Sequence, residues 1–279
     1  MISLGRERSQ QLARALVWAS ALITLAVLFL VIVYVLVQGL PHVNVEFLLG
    51  TPRHMGRDGG ILPTIVGTIF LTAVAVAIAT PLGVGTAIYL TEYTREGRVT
   101  RLIRFGTEAL AGVPSIIFGL FGFVFFVIYL GLGWSILSGG LTLAAMIVPT
   151  VIRTSEEAIR TVPTVYRDVS YSLGATRWQT VTRAVLPSAV PGIATGVILG
   201  MGRCVGETAA VILTAGSSLR MPTTIFAPTR TMAVHFYILA REGISLEMAY
   251  ATGAVLVIAV LIINVIANEA MRRVAARSR

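Results

Sequence analysis

Lysine is absent from this chain: all 22 basic residues are arginine. A P-loop depends on a lysine that reaches the terminal phosphates of a bound nucleotide. If ATP drives this protein, another polypeptide hydrolyses it. Cysteine is nearly absent as well, since Cys204 stands alone, which excludes an intrachain disulfide and a cysteine metal cluster. His42, His54 and His235 are scattered over segments that read as loops, a pattern that argues against a histidine metal site. Charge is sparse too. Charged residues make up 13% of the chain, against about a quarter in soluble domains. Most of the surface must therefore face something apolar.

What is abundant is hydrophobic, 56% of 279 residues. The apolar residues gather in six runs, over about 16–37, 62–90, 109–130, 137–152, 193–213 and 249–267. A helix needs about 20 such residues to cross a bilayer. The first run follows Arg6, Arg8 and Arg14 and ends in Gln38-Gly39-Leu40-Pro41. It exceeds the roughly 7–15 residues of a signal-peptide core and lacks the small-residue cleavage site, so it reads as an uncleaved span. Pro81, Pro114 and Pro149 fall within or beside spans, where neighbouring helices satisfy the freed carbonyls. Small residues such as those of Gly119-Leu120-Phe121-Gly122 permit close helix contact. The expected fold is an all-α polytopic membrane protein with six transmembrane helices.

A formal charge of +9 raises the question of nucleic acid. No compact basic face or recognition motif supports it. The arginines collect instead at the ends of the apolar runs. The N-terminus carries Arg6, Arg8 and Arg14, and the second–third connection Arg95, Arg98, Arg101 and Arg104. The fourth–fifth connection carries Arg153, Arg160, Arg167, Arg177 and Arg183, and the C-terminus Arg272, Arg273, Arg277 and Arg279. With six spans, these four segments share one side. The other side holds Arg53, Arg57, Arg220, Arg230 and Arg241. The positive-inside rule then puts both termini in the cytoplasm.

The fourth–fifth connection reads as structured. Thr154-Ser155-Glu156-Glu157 fits a capping box and suggests that the fourth span continues into, or is followed by, a helix that ends near Pro163. A second short helix runs from about Pro163 to Leu173, and Gly174 supplies a left-handed stop. Thr176-Arg177-Trp178-Gln179 forms another capping box and opens a third helix, which is expected to stop before Pro187. Such a pair of helices is either a rigid protrusion or an amphipathic connection lying on the membrane surface.

The residues of this loop, Asp168-Val169-Ser170-Tyr171-Ser172-Leu173-Gly174 followed by Leu186-Pro187, resemble the cytoplasmic signature of bacterial ABC importer permeases. Gly174, Leu186 and Pro187 match the signature's spacing. Asp168 stands where glutamate is usual, Val169 and Ser170 replace two alanines, and Ala184 takes an aliphatic position. The resemblance implies the type I importer permease fold in a bacterial cytoplasmic (inner) membrane, with cytoplasmic coupling helices between spans four and five. It also implies that Asp168, Ser172, Gly174, Ala175, Trp178, Leu186 and Pro187 form the loop that couples to a separate ATPase. Trp178 has an alternative role as an interfacial anchor.

The fifth span contains Arg203 and Glu207, four residues apart and expected on one helix face. Charges inside a span are costly and face the bundle interior or a wet path. The two readings are a structural ion pair and an anion-sensitive gate, in which Glu207 keeps an oxyanion from being held too tightly at Arg203. Arg203-Cys204-Val205-Gly206-Glu207-Thr208-Ala209 resembles the phosphate branch of these permeases. Met232-Ala233-Val234-His235-Phe236-Tyr237 and Glu247-Met248-Ala249-Tyr250-Ala251 resemble the PstA type rather than the PstC type. The resemblance runs from about residue 60 to the C-terminus.

It implies a translocation path past Arg203, Glu207 and Thr208. Its partners would be a second permease of PstC type, a homodimeric ATPase of PstB type, an extracytoplasmic phosphate-binding protein of PstS type, and membrane lipid. The chain itself would need no cofactor, ATP and magnesium being held by the ATPase. The binding protein is expected on the external loops, including the one near Arg220 and Arg230. The alternatives are a permease for sulfate, molybdate or phosphonate, a phosphate sensor without flux, and a proton-coupled carrier, against which the coupling signature argues. The expected organisation is an N-terminal span and external loop (1–60), a permease body (61–272) and a cytoplasmic tail (273–279).

Overall fold

The computed structural model describes the backbone of residues 2–277 and the side chains of 10–266 and of Glu269. The side chains of Arg6, Arg8, Arg272, Arg273, Arg277 and Arg279, and residues 278–279 of the expected tail, lie outside the described residues. The chain opens with α1 (Ile2–Gly39), whose described side chains are largely exposed. It packs along α12 (Leu246–Arg277) near its end, where Gly39 lies against the Tyr250 backbone and the Tyr34 and Tyr250 rings meet edge to face at 5.8 Å. A short α2 (Val45–Leu49) follows, opened by Asn44, whose Oδ1 accepts from the Phe47 N–H at 2.7 Å. A two-residue antiparallel hairpin, β1 (Pro52–Arg53) with β2 (Asp58–Gly59), pairs Pro52 with Gly59 and Arg53 with Asp58.

The body of the molecule is α3 (Leu62–Ile88), α6 (Ile136–Arg160) and α9 (Leu186–Val205). Leu71, Ala75, Leu143, Met146, Ile147 and Cys204 form its buried centre. Small residues bring the helices together. A Cβ added at Gly140 would stand 2.5 Å from Val74, and one at Gly83 2.7 Å from Val151, so α3 and α6 meet almost backbone to backbone. Gly192 and Gly196 let α9 close on Ala158 and Thr154 of α6 in the same way. At one end a second cluster (Ala87, Ile159, Val162, Val185 and Ala189) joins the ends of all three.

Five stretches are long and apolar enough to span a membrane: Gln10–His42, Leu62–Tyr93, Ile136–Arg160, Arg177–Val205 and Leu246–Ile266. The third expected span is different. It is split into α4 (Arg98–Ala111) and α5 (Ser115–Gly122), the latter continued by a π-helical segment to Tyr129, with a bend of 102° between them. Pro114, extended at ψ 141°, makes the break, because proline has no N–H to donate and disfavours helix at the residue before it. Residues 115–129 rise only about 22 Å, and α4 turns aside with Val99, Leu102 and Phe105 exposed.

At Thr154 the first of the two alternatives holds, with the fourth span continuing into the helix that ends near Pro163. The α6 helix runs on through it to Arg160, and the Thr154 hydroxyl donates back to the Thr150 carbonyl at 2.8 Å instead of capping. Burial of Val151, Ile152, Ala158 and Ile159 against α3 and α9 outweighs the local motif. One other local expectation is corrected: the third connecting helix does not stop before Pro187. The short α8 (Arg177–Thr180) passes through a π-helical turn, Val181–Val185, straight into α9. The wider turn sits where a proline at 187 would otherwise clash with the carbonyl of Arg183.

Candidate functional site

Two regions carry the sequence-derived candidates. The first is the connection between α6 and α9. The helix α7 (Thr164–Ser172) ends at Leu173, and Gly174 adopts φ +83°. A Cβ there would meet nothing within 4 Å, so glycine is needed for the backbone angle and not for space. The expected capping box is present: the Thr176 Oγ1 accepts from the Gln179 N–H at 3.3 Å, and the Gln179 Oε1 accepts from the Thr176 N–H at 2.9 Å. The Ser170 and Thr180 hydroxyls bond at 2.9 Å and tie α7 to α8.

This pair presents an apolar face to its surroundings. Leu173 is 82% exposed and Trp178 65%, and Val165, Tyr166 and Val169 are exposed beside them. Asp168 is exposed, and Ala175 is half-buried in the turn. The Ser172 hydroxyl folds back on the Asp168 carbonyl at 2.9 Å, so it acts within the helix. Leu186 is half-buried and Pro187 exposed at the start of α9.

The sequence did not reveal what braces this pair. Arg167 of α7 reaches the π-helical turn Tyr89–Tyr93 that ends α3, where its Nε donates to the Glu92 Oε1 at 3.1 Å and its Nη2 to the same oxygen. The same guanidinium donates to the carbonyls of Val162 at 2.9 Å and Ile159 at 3.1 Å, at the end of α6. On the same turn as Glu92, the Tyr93 ring has Arg177 5.7 Å from its centre. The 75-residue separation of Arg167 and Glu92 leaves no local signal of the pairing.

Beside the brace, α4 and α6 enclose a cleft of about 660 Å³. Arg104 bridges Glu96 at 2.9 Å and Glu156 at 2.8 Å, and Arg160 also reaches Glu156 at 2.8 Å. The hydrogen bond from Arg104 holds the Glu96 carboxyl below the usual carboxylate range. The i,i+4 pair of Glu156 and Arg160 was readable from spacing; the links to α4 were not. The lining balances Arg104, Arg153 and Arg160 against Glu108, Glu156 and Glu157, so the cleft has no net preference for anions.

The second region is the end of α9. Gly200 packs against Ile147 of α6, which puts Arg203, one turn further, level with about Leu143, roughly 10 Å inside the start of α6. Arg203 is half-buried and makes no hydrogen bond or ion pair among the described residues. Glu207 does not share its helix face. The α9 helix stops at Val205, and the chain breaks at Gly206 before α10 (Ala209–Thr214). The Glu207 Oε1 accepts from the Ala210 N–H at 3.2 Å and caps that short helix, with half-buried Thr208 beside it. The ion-pair reading is thus not realised among the described residues.

At the opposite end from α7, the loop after α10 folds back on the start of α6: the Ile136 N–H donates to the Ala227 carbonyl at 3.0 Å and the Leu137 N–H to the Ile225 carbonyl at 2.9 Å. Arg220 is exposed there, but Arg230 is only 5% exposed and cannot offer its charge to a docking protein. His235 is not in a loop. It lies within α11 (Met232–Arg241), which is too short to span, and is 1% exposed with its Nδ1 3.3 Å from the Arg230 Nη1.

A bundle of close-packed spans, one sharply bent, with a braced helix pair projecting between the fourth and fifth, is the architecture of a type I ABC importer permease. The chain belongs to the family described as binding-protein-dependent transport system inner membrane component, whose sequence profile matches residues 79–279. It is 34% identical to a probable ABC transporter permease protein, YqgI, of Bacillus subtilis, over 95% of this chain and 96% of that one. It is 32% identical to the phosphate transport system permease protein PstA of Pasteurella multocida, over 83% of each. Among solved structures, a chain of a bacterial alginate ABC transporter in complex with a pentasaccharide-bound periplasmic protein matches with a TM-score of 0.70 and 16% identity, over 96% of each chain. That last likeness concerns the fold alone.

Proposed function

We propose that this chain is a transmembrane permease subunit of an ATP-driven inorganic phosphate importer. It forms the translocation path with a second permease of PstC type. A separate homodimeric ATPase of PstB type holds ATP and magnesium, and an extracytoplasmic protein of PstS type delivers phosphate. The observation that carries the reading is Arg203, a guanidinium at membrane depth with no carboxylate upon it among the described residues, in a chain related to a PstA permease over most of its length. An uncompensated charge within a span is costly and faces a wet path. Its planar fork suits the oxygens of phosphate.

The arginine-rich end, with α7 and α8, is assigned to the cytoplasm by the positive-inside rule. Both termini lie there too. The exposed Val165, Tyr166, Val169, Leu173 and Trp178 form an apolar patch that calls for a protein cover, and the ATPase provides it. ATP closes the ATPase dimer and moves the helix pair around Gly174. The path then opens outward, phosphate passes Arg203, and hydrolysis restores the inward-facing state. Glu207 and Thr208 border the path just beyond Arg203. The Glu207 carboxylate limits how tightly the anion is held, since conduction requires escapable sites.

Vesicles containing the chain with its partners, wild type or Arg203→Gln, test the assignment. Losing a charge-assisted hydrogen bond to the anion should lower phosphate uptake about tenfold or more, with assembly intact and excess sulfate without effect on wild type. Normal uptake by Arg203→Gln would reduce Arg203 to a structural role. Competition by sulfate, molybdate or phosphonate would move the assignment to that oxyanion. Phosphate-dependent signalling without flux would identify a sensor.

A further inference from the structure

The coupling pair must pass its movement to the spans through something stiff. On one side the route is covalent, because α8 runs through its π-helical turn into α9 without a break. The spans α3 and α6 have no such continuity with α7: α6 ends at Arg160, and Pro163 separates it from α7. What joins them is Arg167. All of its donor nitrogens are engaged, the Nε and Nη2 by Glu92 and the Nη1 and Nη2 by the Val162 and Ile159 carbonyls.

The side chains are only 17% and 7% exposed, for Arg167 and Glu92 respectively. A planar guanidinium held on three sides has little freedom to pivot, and water has little access to screen the pair. The carbonyls it takes lie at the end of a helix, where a cation is favoured by the dipole. Tyr93, on the same turn as Glu92, receives Arg177 of α8, so both halves of the coupling pair rest on the end of α3.

We infer that Glu92 and Arg167 are positioning residues that transmit the movement of the coupling pair to α3 and α6, so that ATP hydrolysis without their contact no longer drives transport. The inference rests on the reading of α7 and α8 as the element that meets the ATPase. Neither residue belongs to the surface that would touch the ATPase or to the path of the anion. Their loss therefore affects the ratio of transport to hydrolysis and not either activity's own machinery. A residue that merely stabilised the fold would lower both together.

The experiment uses the complete assembly in vesicles with loaded binding protein, and measures phosphate imported and ATP hydrolysed in the same sample. In Glu92→Gln and Arg167→Gln, hydrolysis should stay within about twofold of wild type while phosphate imported per ATP falls about tenfold. The double variant should fall no further than the single ones, because both remove one contact. Removal of either partner strands a buried charge or dipole, so Glu92→Asp, which keeps the charge on a shorter stem, is read beside them and should show an intermediate ratio. An unchanged ratio in assembled variants, or a parallel fall of uptake and hydrolysis, overturns the inference. Absence of ATP-dependent phosphate uptake by wild type would strike the proposed substrate instead. Failure of the ATPase to bind wild type, or its indifference to Trp178→Ala, would strike the proposed docking element.

Discussion

Arg230 shows how a buried arginine persists with no carboxylate in ion-pair contact among the described residues. Its Nε donates to the Ser217 carbonyl at 2.9 Å, and its Nη1 meets the His235 Nδ1. A guanidinium has no acceptor, so the Nδ1 is the acceptor, the ring is neutral, and its proton sits on Nε2. Burial, and then the Arg230 charge, push the His235 pKa down to about 4 from an ordinary 6.5. A histidine whose folded pKa lies below its unfolded one binds fewer protons when folded, so stability should fall as pH drops from about 6.5 toward 4. The slope attributable to one such group is at most about 1.4 kcal/mol per pH unit. Thermal unfolding of the solubilised assembly at stepped pH should show this component in wild type and lack it in His235→Gln; equal slopes would contradict it. None of this was legible, because the histidine reads as a loop residue until α11 and the Gly56 turn close over it. Arg203 was legible as a charge within a span. Its supposed pairing with Glu207 was not, because helical spacing has meaning only if the helix continues, and here it stops at Val205.

Among the elements, the α7–α8 pair was the most readable because its determinants are local. A left-handed glycine followed by a Thr-x-x-Gln box fixes the turn with few distant contacts. Placing a Cβ at Gly174 meets no neighbour, so Gly174→Ala should exact only the left-handed backbone penalty, roughly 1–2 kcal/mol. The variant should still assemble, and titration of the ATPase onto the detergent-solubilised permease pair should show affinity weakened about tenfold. Unaltered affinity would mean that the turn is not part of the docking element. The breaks in the spans were less legible. Pro114 announced the bend between α4 and α5 only as a proline beside a span, and Pro187 suggested a helix end that the π-helical turn at Val181–Val185 removes. In both places the outcome depends on what packs around the proline. At Thr154 the cap motif left open whether the fourth span continues, and burial on two sides settles it in favour of a continuous helix.

For the whole molecule, hydropathy was a sufficient guide to class. A chain with long apolar helices and exposed Leu22, Phe29 and Leu30 on α1 needs lipid or another subunit around it. Five of the six expected spans were readable for the same reason, whereas the bend that splits the third, the α4–α6 cleft and the Arg167–Glu92 brace depend on how distant parts of the chain pack. The proposed importer accounts for three features at once: an Arg203 guanidinium without an ion pair among the described residues, the apolar face of the α7–α8 pair, and a chain without lysine. The central claim is that transport of phosphate through this chain is driven by ATP hydrolysed elsewhere. Its most direct test is phosphate uptake into vesicles containing the wild-type assembly and loaded binding protein, with ATP supplied or withheld on the ATPase side. The account predicts accumulation against a gradient with ATP and none without it. Equal uptake in the two conditions, or none from an assembly that hydrolyses ATP, would contradict it.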